Sequence, residues 1–106
     1  MDVNIKNTYT NKFGALPLLA QTIRILLVEH DTTSLVSLSS LFEQQNYKVT
    51  TVESATMALS LFEEQNSIFD IVIACIPMPE MSISEFAQKL HGHRTTVPIM
   101  CKSNYI

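Results

Sequence analysis

The chain predicts an α/β fold: a doubly wound parallel sheet with helices on both faces. Three observations lead there. Strand-like and helix-like segments alternate three times before a last strand. The strands Ile25–Val28 and Ile71–Ile76 are continuous apolar runs, as expected of strands buried on both faces, rather than alternating ones. The helical segments repeat their apolar residues at spacings of three and four. Hydrophobic residues make up 46% of the 106 and charged residues 16%, enough for one folded domain and too apolar for compositional disorder.

Residues 1–22 are polar and mixed, and we read them as a flexible leader. Within it Leu16, Leu18 and Leu19 could dock on a neighbouring apolar surface. The domain is expected over 23–106. Ile25-Leu26-Leu27-Val28 forms the first strand and stops at Glu29-His30-Asp31. Asp31 is a suitable N-cap for a helix that turns Leu35, Leu38, Leu41 and Phe42 inward and stops near Gln44-Gln45-Asn46. Tyr47–Val52, β-branched and aromatic, is the second strand. Ser54 caps a second helix, with Met57, Ala58, Leu61 and Phe62 inward and Glu63, Glu64 and Gln65 outward. Ile71–Ile76 is the third strand, and Pro77 and Pro79 turn the next residues into a loop. A third helix over about Ser84–Leu90 buries Phe86 and Leu90. His91-Gly92-His93 belongs to a solvated turn that leads to a fourth strand at Val97–Cys101.

Composition excludes several functions. The net charge is −3 and the Lys and Arg residues do not cluster, so no counterion-displacing face for nucleic acid is expected. No apolar stretch approaches the roughly 18–20 residues that span a bilayer, and the Ala15–Ala20 patch, interrupted by Pro17, is too weak for a signal-peptide core. Cys75 and Cys101 sit far apart within apolar runs, which suits reduced, buried thiols and residence in the cytoplasm or nucleus.

In open parallel sheets ligands sit beyond the carboxyl ends of the strands, where strand order reverses. If the first strand is central, Glu29 and His30 face Cys75 across one crevice. Arg24-Ile25-Leu26-Leu27-Val28-Glu29-His30-Asp31 and Phe69-Asp70-Ile71-Val72-Ile73-Ala74-Cys75-Ile76-Pro77-Met78-Pro79-Glu80-Met81 resemble the receiver domain of two-component response regulators. Val49–Val52 with Ala55, Ala58 and Leu59, and Val97-Pro98-Ile99, fit the same register. The resemblance runs from about Arg24 to Ser103 and is nearest to the plant type-B and pseudo-response regulators. It implies a flavodoxin-like (CheY-like) sheet, truncated here after the fourth strand.

In that family two acidic residues after strand one hold Mg²⁺ and an Asp at the end of strand three takes the phosphoryl group. A Thr or Ser ending strand four and a Lys after strand five complete the switch. Carried over by position, the acidic pair falls on Glu29 and His30, the acceptor on Cys75 and the switch hydroxyl on Ser103, while the lysine has no counterpart before Ile106. Mg²⁺ seeks oxygen ligands, and an imidazole and a thiol are softer donors, so Mg²⁺ binding is expected to be weak or lost. A thiol cannot form the acyl phosphate. Asp70, five residues earlier, lies roughly 16 Å from the acceptor at about 3.3 Å per residue. Glu80 and Asp31 are nearer, but neither holds the acceptor position. Ile83, where the family often has Gly, suggests a loop of different shape.

The resulting expectation is a degenerate, non-enzymatic pseudo-receiver without a cofactor or metal. It would act in phosphorelay-type signalling by binding proteins, with other response regulators or phosphotransfer proteins as candidate partners. Two alternatives stay open: a metal- or redox-responsive site at His30 and Cys75, and an unstable receiver fragment without independent function. Without a covering element, the fourth strand would present an open edge and bare apolar surface.

Overall fold

A computed structural model describes residues 22–65, 68–93 and 97–103. The expected leader, apart from Thr22, and its Leu16, Leu18 and Leu19 lie outside the described residues. In chain order the elements are β1 (Arg24–Val28), α1 (Thr32–Gln44), β2 (Lys48–Val52), α2 (Ala55–Gln65), β3 (Ile71–Ile76), α3 (Ile83–His93) and β4 (Ile99–Ser103). The strands form one parallel sheet in the order β2-β1-β3-β4. Among the described residues no helix is long and apolar enough to cross a membrane.

The two apolar runs became the two central strands. Ile25 pairs with Val49 on one side and Ile71 on the other, and Val28 pairs with Val52 and Ala74. Backbone bonds extend the ladder at both ends, from Lys48 N–H to the Ile23 carbonyl (2.9 Å) and from Glu29 N–H to that of Val52 (3.1 Å). Because side chains alternate across a strand, β1 feeds two cores. Leu26 and Val28 join Val72, Ala74, Phe62, Phe86 and Leu90 under α2 and α3. Ile25, Leu27, Ile73 and Cys75 meet Leu38 and Phe42 of α1 on the opposite face.

Helix boundaries follow from local chemistry. The Asp31 carboxylate accepts from Ser34 N–H at 3.0 Å and starts α1. That helix closes on a Schellman pattern: Asn46 N–H donates to the Glu43 carbonyl and Tyr47 N–H to that of Phe42. Asn46 takes the left-handed conformation that this closure requires (φ 72°), and the Tyr47 ring packs edge-on against Phe42, centroids 6.2 Å apart. Ser54 Oγ accepts from Met57 N–H (3.0 Å), capping α2 as expected.

Several expectations need correction. α3 starts one residue earlier and runs three further than expected, through His91-Gly92-His93, which is helix and not turn. Ser82 Oγ accepts from Glu85 N–H, the Ser-x-x-Glu pattern of a capping box, and the His91 ring meets the Val97 carbonyl at 3.2 Å. Ile83 opens this helix without a left-handed backbone and packs on the larger core, so a β-branched residue is not strained there. β4 starts two residues later than expected. Pro98 has no N–H to give, and pairing begins with its carbonyl, which accepts from Val72 N–H.

Leu41 and Met57 are exposed rather than inward. At about 100° per residue Leu41 falls outside the arc shared by Leu35, Leu38 and Phe42, and Met57 lies about 100° from Ala58 and about 140° from Phe62. Cys101 is exposed as well. It lies on β4 and pairs with Ala74 of β3, and β4 has no further neighbour on its outer side among the described residues.

Coverage of the sheet is uneven. Beside α1, residues Ile23, Ile25, Tyr47, Ile71, Ile73 and Met100 line an open apolar groove of about 210 Å³. Of the exposed large hydrophobics, Met57 belongs to the α2 side, whereas Ile23, Tyr47 and Met100 line this groove and Val36 and Leu41 lie on α1.

Burial decides how these positions respond to substitution. Phe62→Ala, at a fully buried ring 5.6 Å from that of Phe69, is expected to destabilise the fold by about 3–5 kcal/mol. Met57→Lys one turn away should stay within about 0.5 kcal/mol. Urea unfolding of both variants checks the pair.

Candidate functional site

The strand order reverses between β1 and β3, since the chain passes from β1 outward to β2 and then returns to β1's other side. The crevice that such a reversal opens lies beyond the carboxyl ends of these strands. Two of the four positions named from sequence meet there. Glu29 follows β1 with no exposed surface, and Cys75 is buried on β3. The Cys75 thiol donates a hydrogen bond to the Glu29 carboxylate. Oε2 of Glu29 also accepts from the N–H of Asp31 at 2.9 Å. That bond curls the chain between strand and helix, so one side chain shapes the loop and reaches into the pocket.

His30, the second of the acidic-pair positions, points outward. Its Nδ1 stands 3.6 Å from Oε2 of Glu29 and its ring is 43% exposed. Ser103, the fourth position, ends β4 half-buried, in register with Ile76, one residue past Cys75. It shares the carboxyl edge but belongs to the opposite face of the sheet, since side chains alternate along β4. Asp31, whose carboxyl is held below its usual range chiefly by hydrogen bonds from Ser34, is engaged in capping α1. Asp70 lies at the other end of the sheet, where its Oδ2 accepts from Arg24 N–H (2.8 Å) and stands 3.5 Å from the Arg24 guanidinium.

Sequence reasoning missed Lys102. In the parallel register β4 places Lys102 directly opposite Cys75. The signal was available: if Ser103 ends the strand, the residue before it must face the other way, toward the acceptor position.

The electrostatics of Cys75 are set by burial first and by the Glu29 charge second. Together with the hydrogen bond to Glu29 they push the thiol up to about 11, against the opposing field of Lys102. A reactive or metal-ligating thiol needs the thiolate. At neutral pH this one is protonated and spends its proton on a neighbour, which opposes the redox and metal alternative.

The donor set also fails the fit expected for Mg²⁺. That ion takes oxygen ligands in near-octahedral array. Here the crevice supplies one carboxylate, already accepting from a backbone N–H and a thiol, beside an imidazole and a neutral sulfur. Among the described residues no group of three or more His, Cys, Asp and Glu is placed to hold a metal ion.

Comparison with known proteins gives one consistent answer. The family described as the response regulator receiver domain matches residues 25–105. A two-component response regulator-like protein of Arabidopsis thaliana, APRR6, is 39% identical over 75 residues, covering 71% of this chain and 10% of that protein. The two-component response regulator ORR26 of Oryza sativa subsp. japonica is 39% identical over 81 residues, 76% of this chain and 14% of that protein. Among solved structures, a response regulator receiver domain protein from Clostridium thermocellum superposes with a TM-score of 0.73 at 23% identity, covering 76% of this chain and 64% of that one. The chain thus spans about a tenth of the curated relatives' length and about two thirds of that solved receiver.

Folding raises the Cys75 thiol from an ordinary 9.0 to about 11. The unionised thiol therefore adds stability that is complete below about pH 9 and is lost as pH climbs through about 11. Unfolding curves between about pH 8 and 11 should show that loss, and Cys75→Ala should reduce it. At about pH 8 its thiolate fraction is roughly a hundredfold below that of an ordinary thiol. Iodoacetamide should accordingly modify exposed Cys101 promptly and leave Cys75 intact, as read by peptide mass.

Proposed function

We propose, from the premise that this chain belongs to the response regulator receiver domain family, that it is a pseudo-receiver acting in two-component signalling without aspartyl phosphorylation. The observation that carries this reading is Cys75, a protonated thiol donating to Glu29 at the position where the family's acceptor carboxylate stands. Phosphoryl transfer to a receiver needs a carboxylate oxygen as nucleophile and a cation to gather the phosphoryl oxygens. Cys75 offers no such oxygen, and the crevice around it suits Mg²⁺ poorly. Other acids do not stand in for it: Asp31 caps α1, Asp70 is bonded to Arg24 at the opposite edge, and Glu80 lies in the loop after β3, off the acceptor position.

A receiver domain of a response regulator works through other signalling proteins. In this reading the chain keeps that role by binding alone, is not an enzyme and carries no cofactor. Its partners are protein, with other response regulators or phosphotransfer proteins as candidates, and neither nucleic acid nor membrane is engaged directly. Its place is the nucleus or cytoplasm. The uncovered apolar surface beside α1 is compatible with binding, because contiguous exposed apolar patches mark contact surfaces.

The test is incubation of the chain with Mg²⁺ and acetyl phosphate, followed by intact-mass measurement before and after hydroxylamine. The expected result is an unchanged mass. A hydroxylamine-sensitive gain of one phosphoryl group would refute the reading.

A further inference from the structure

Glu29, Cys75 and Lys102 stand in one row across the sheet. Val28 pairs with Ala74, and Cys75 pairs with Lys102. Continuing the first register by one residue sets the three side by side on β1, β3 and β4. All belong to the face that carries α1, since Leu27 and Cys75 lie in that core. Neighbouring strands are about 4.8 Å apart, so the Lys102 backbone is about 10 Å from that of Glu29. An extended lysine side chain can bring its ammonium over Cys75 toward the carboxylate.

A carboxylate with no exposed surface is expensive to keep charged unless a cation or several donors compensate it. In a pocket of clustered carboxylates a divalent ion serves that purpose. Here the donor set does not fit Mg²⁺, and a half-exposed His30, 3.6 Å away, is charged only when protonated. Among the described residues Lys102, exposed on β4, is the lysine in register with Cys75.

We propose that Lys102 is the internal counter-cation of this pocket: projected from β4 over Cys75, its ammonium neutralises buried Glu29 and occupies the electrostatic role of a divalent ion. The downward pull of Lys102 on the Cys75 thiol agrees with the placement that the strand register gives. The proposal rests on the pseudo-receiver reading for its meaning, because a pocket with a built-in cation is fixed in one charge state and has no ion to gain or lose. The two are tested separately. Phosphoryl gain addresses the reading, and charge coupling addresses Lys102.

The experiment uses the full chain in a Cys101→Ser background, so that Cys75 is the sole thiol. Lys102→Met, Lys102→Arg, Glu29→Gln and the Glu29→Gln/Lys102→Met double variant are compared by urea unfolding and by the pH dependence of Cys75 alkylation. The groups acting on that thiol are Glu29 on β1 and Lys102 on β4, with the influence of Cys101 removed by the background. Lys102→Met should lower the folding equilibrium constant by tenfold or more when Glu29 is present, and by less than twofold in the Glu29→Gln background. It should also move the alkylation midpoint to higher pH, whereas Lys102→Arg should preserve both values. Mg²⁺ at millimolar concentration should shift neither readout in the parent chain.

Equal effects of Lys102→Met in both backgrounds would overturn the proposal, as would saturable stabilisation of the parent by Mg²⁺. If Lys102→Met does not fold, the alkylation midpoints decide. A lower midpoint in Glu29→Gln with an unchanged one in Lys102→Arg supports the proposal, and a midpoint displaced upward by Lys102→Arg refutes it.

Discussion

A carboxylate with no exposed surface ends the central strand, and the groups around it are arranged to satisfy it. Glu29 accepts from the Asp31 backbone and from the Cys75 thiol, and these two bonds join β1 to the start of α1 and to β3. The same acid therefore shapes the loop that begins the first helix and ties together the two strands on which both cores are built. Burying an acid is unfavourable by itself. Its partners turn it into a fixed point.

That internal satisfaction separates fold from chemistry. The sheet order, the switch point and the family match are those of a receiver, but fold does not fix function; the site does. In the proposed reading, a crevice in which thiol, carboxylate and ammonium answer one another has exchanged capacity for reaction for a single stable charge arrangement. On that reading, such a protein would contribute to signalling through its surface and through occupying a partner. In this chain an open apolar groove lies beside α1.

The fold was largely legible in the residues. Ile25–Val28 and Ile71–Ile76 are apolar throughout because both faces are covered, and that constraint leaves a visible mark on sequence. Asp31 and Ser54 announced their helices because a cap needs a short oxygen-bearing side chain. The misses share one cause: they depend on neighbours that are distant along the chain. Leu41 and Met57 have the same hydrophobicity as their buried counterparts, and only the helix angle separates them. Cys101 lies in an apolar run yet is exposed because β4 is an edge among the described residues. Lys102 escaped notice because its meaning depends on strand register, which sets it against Cys75 from far along the chain. The Ser82-x-x-Glu85 pattern, by contrast, was readable and would have started α3 correctly.

The most direct measurement is a pair of amide NMR spectra of the isotopically labelled chain, recorded before and after addition of Mg²⁺ with beryllofluoride, a mimic of a carboxylate-bound phosphoryl group. The account predicts unchanged amide positions at Glu29, His30, Cys75 and Ser103. Saturable shifts at those four residues would mean that the pocket still accepts a phosphoryl group and its cation, and would contradict the account.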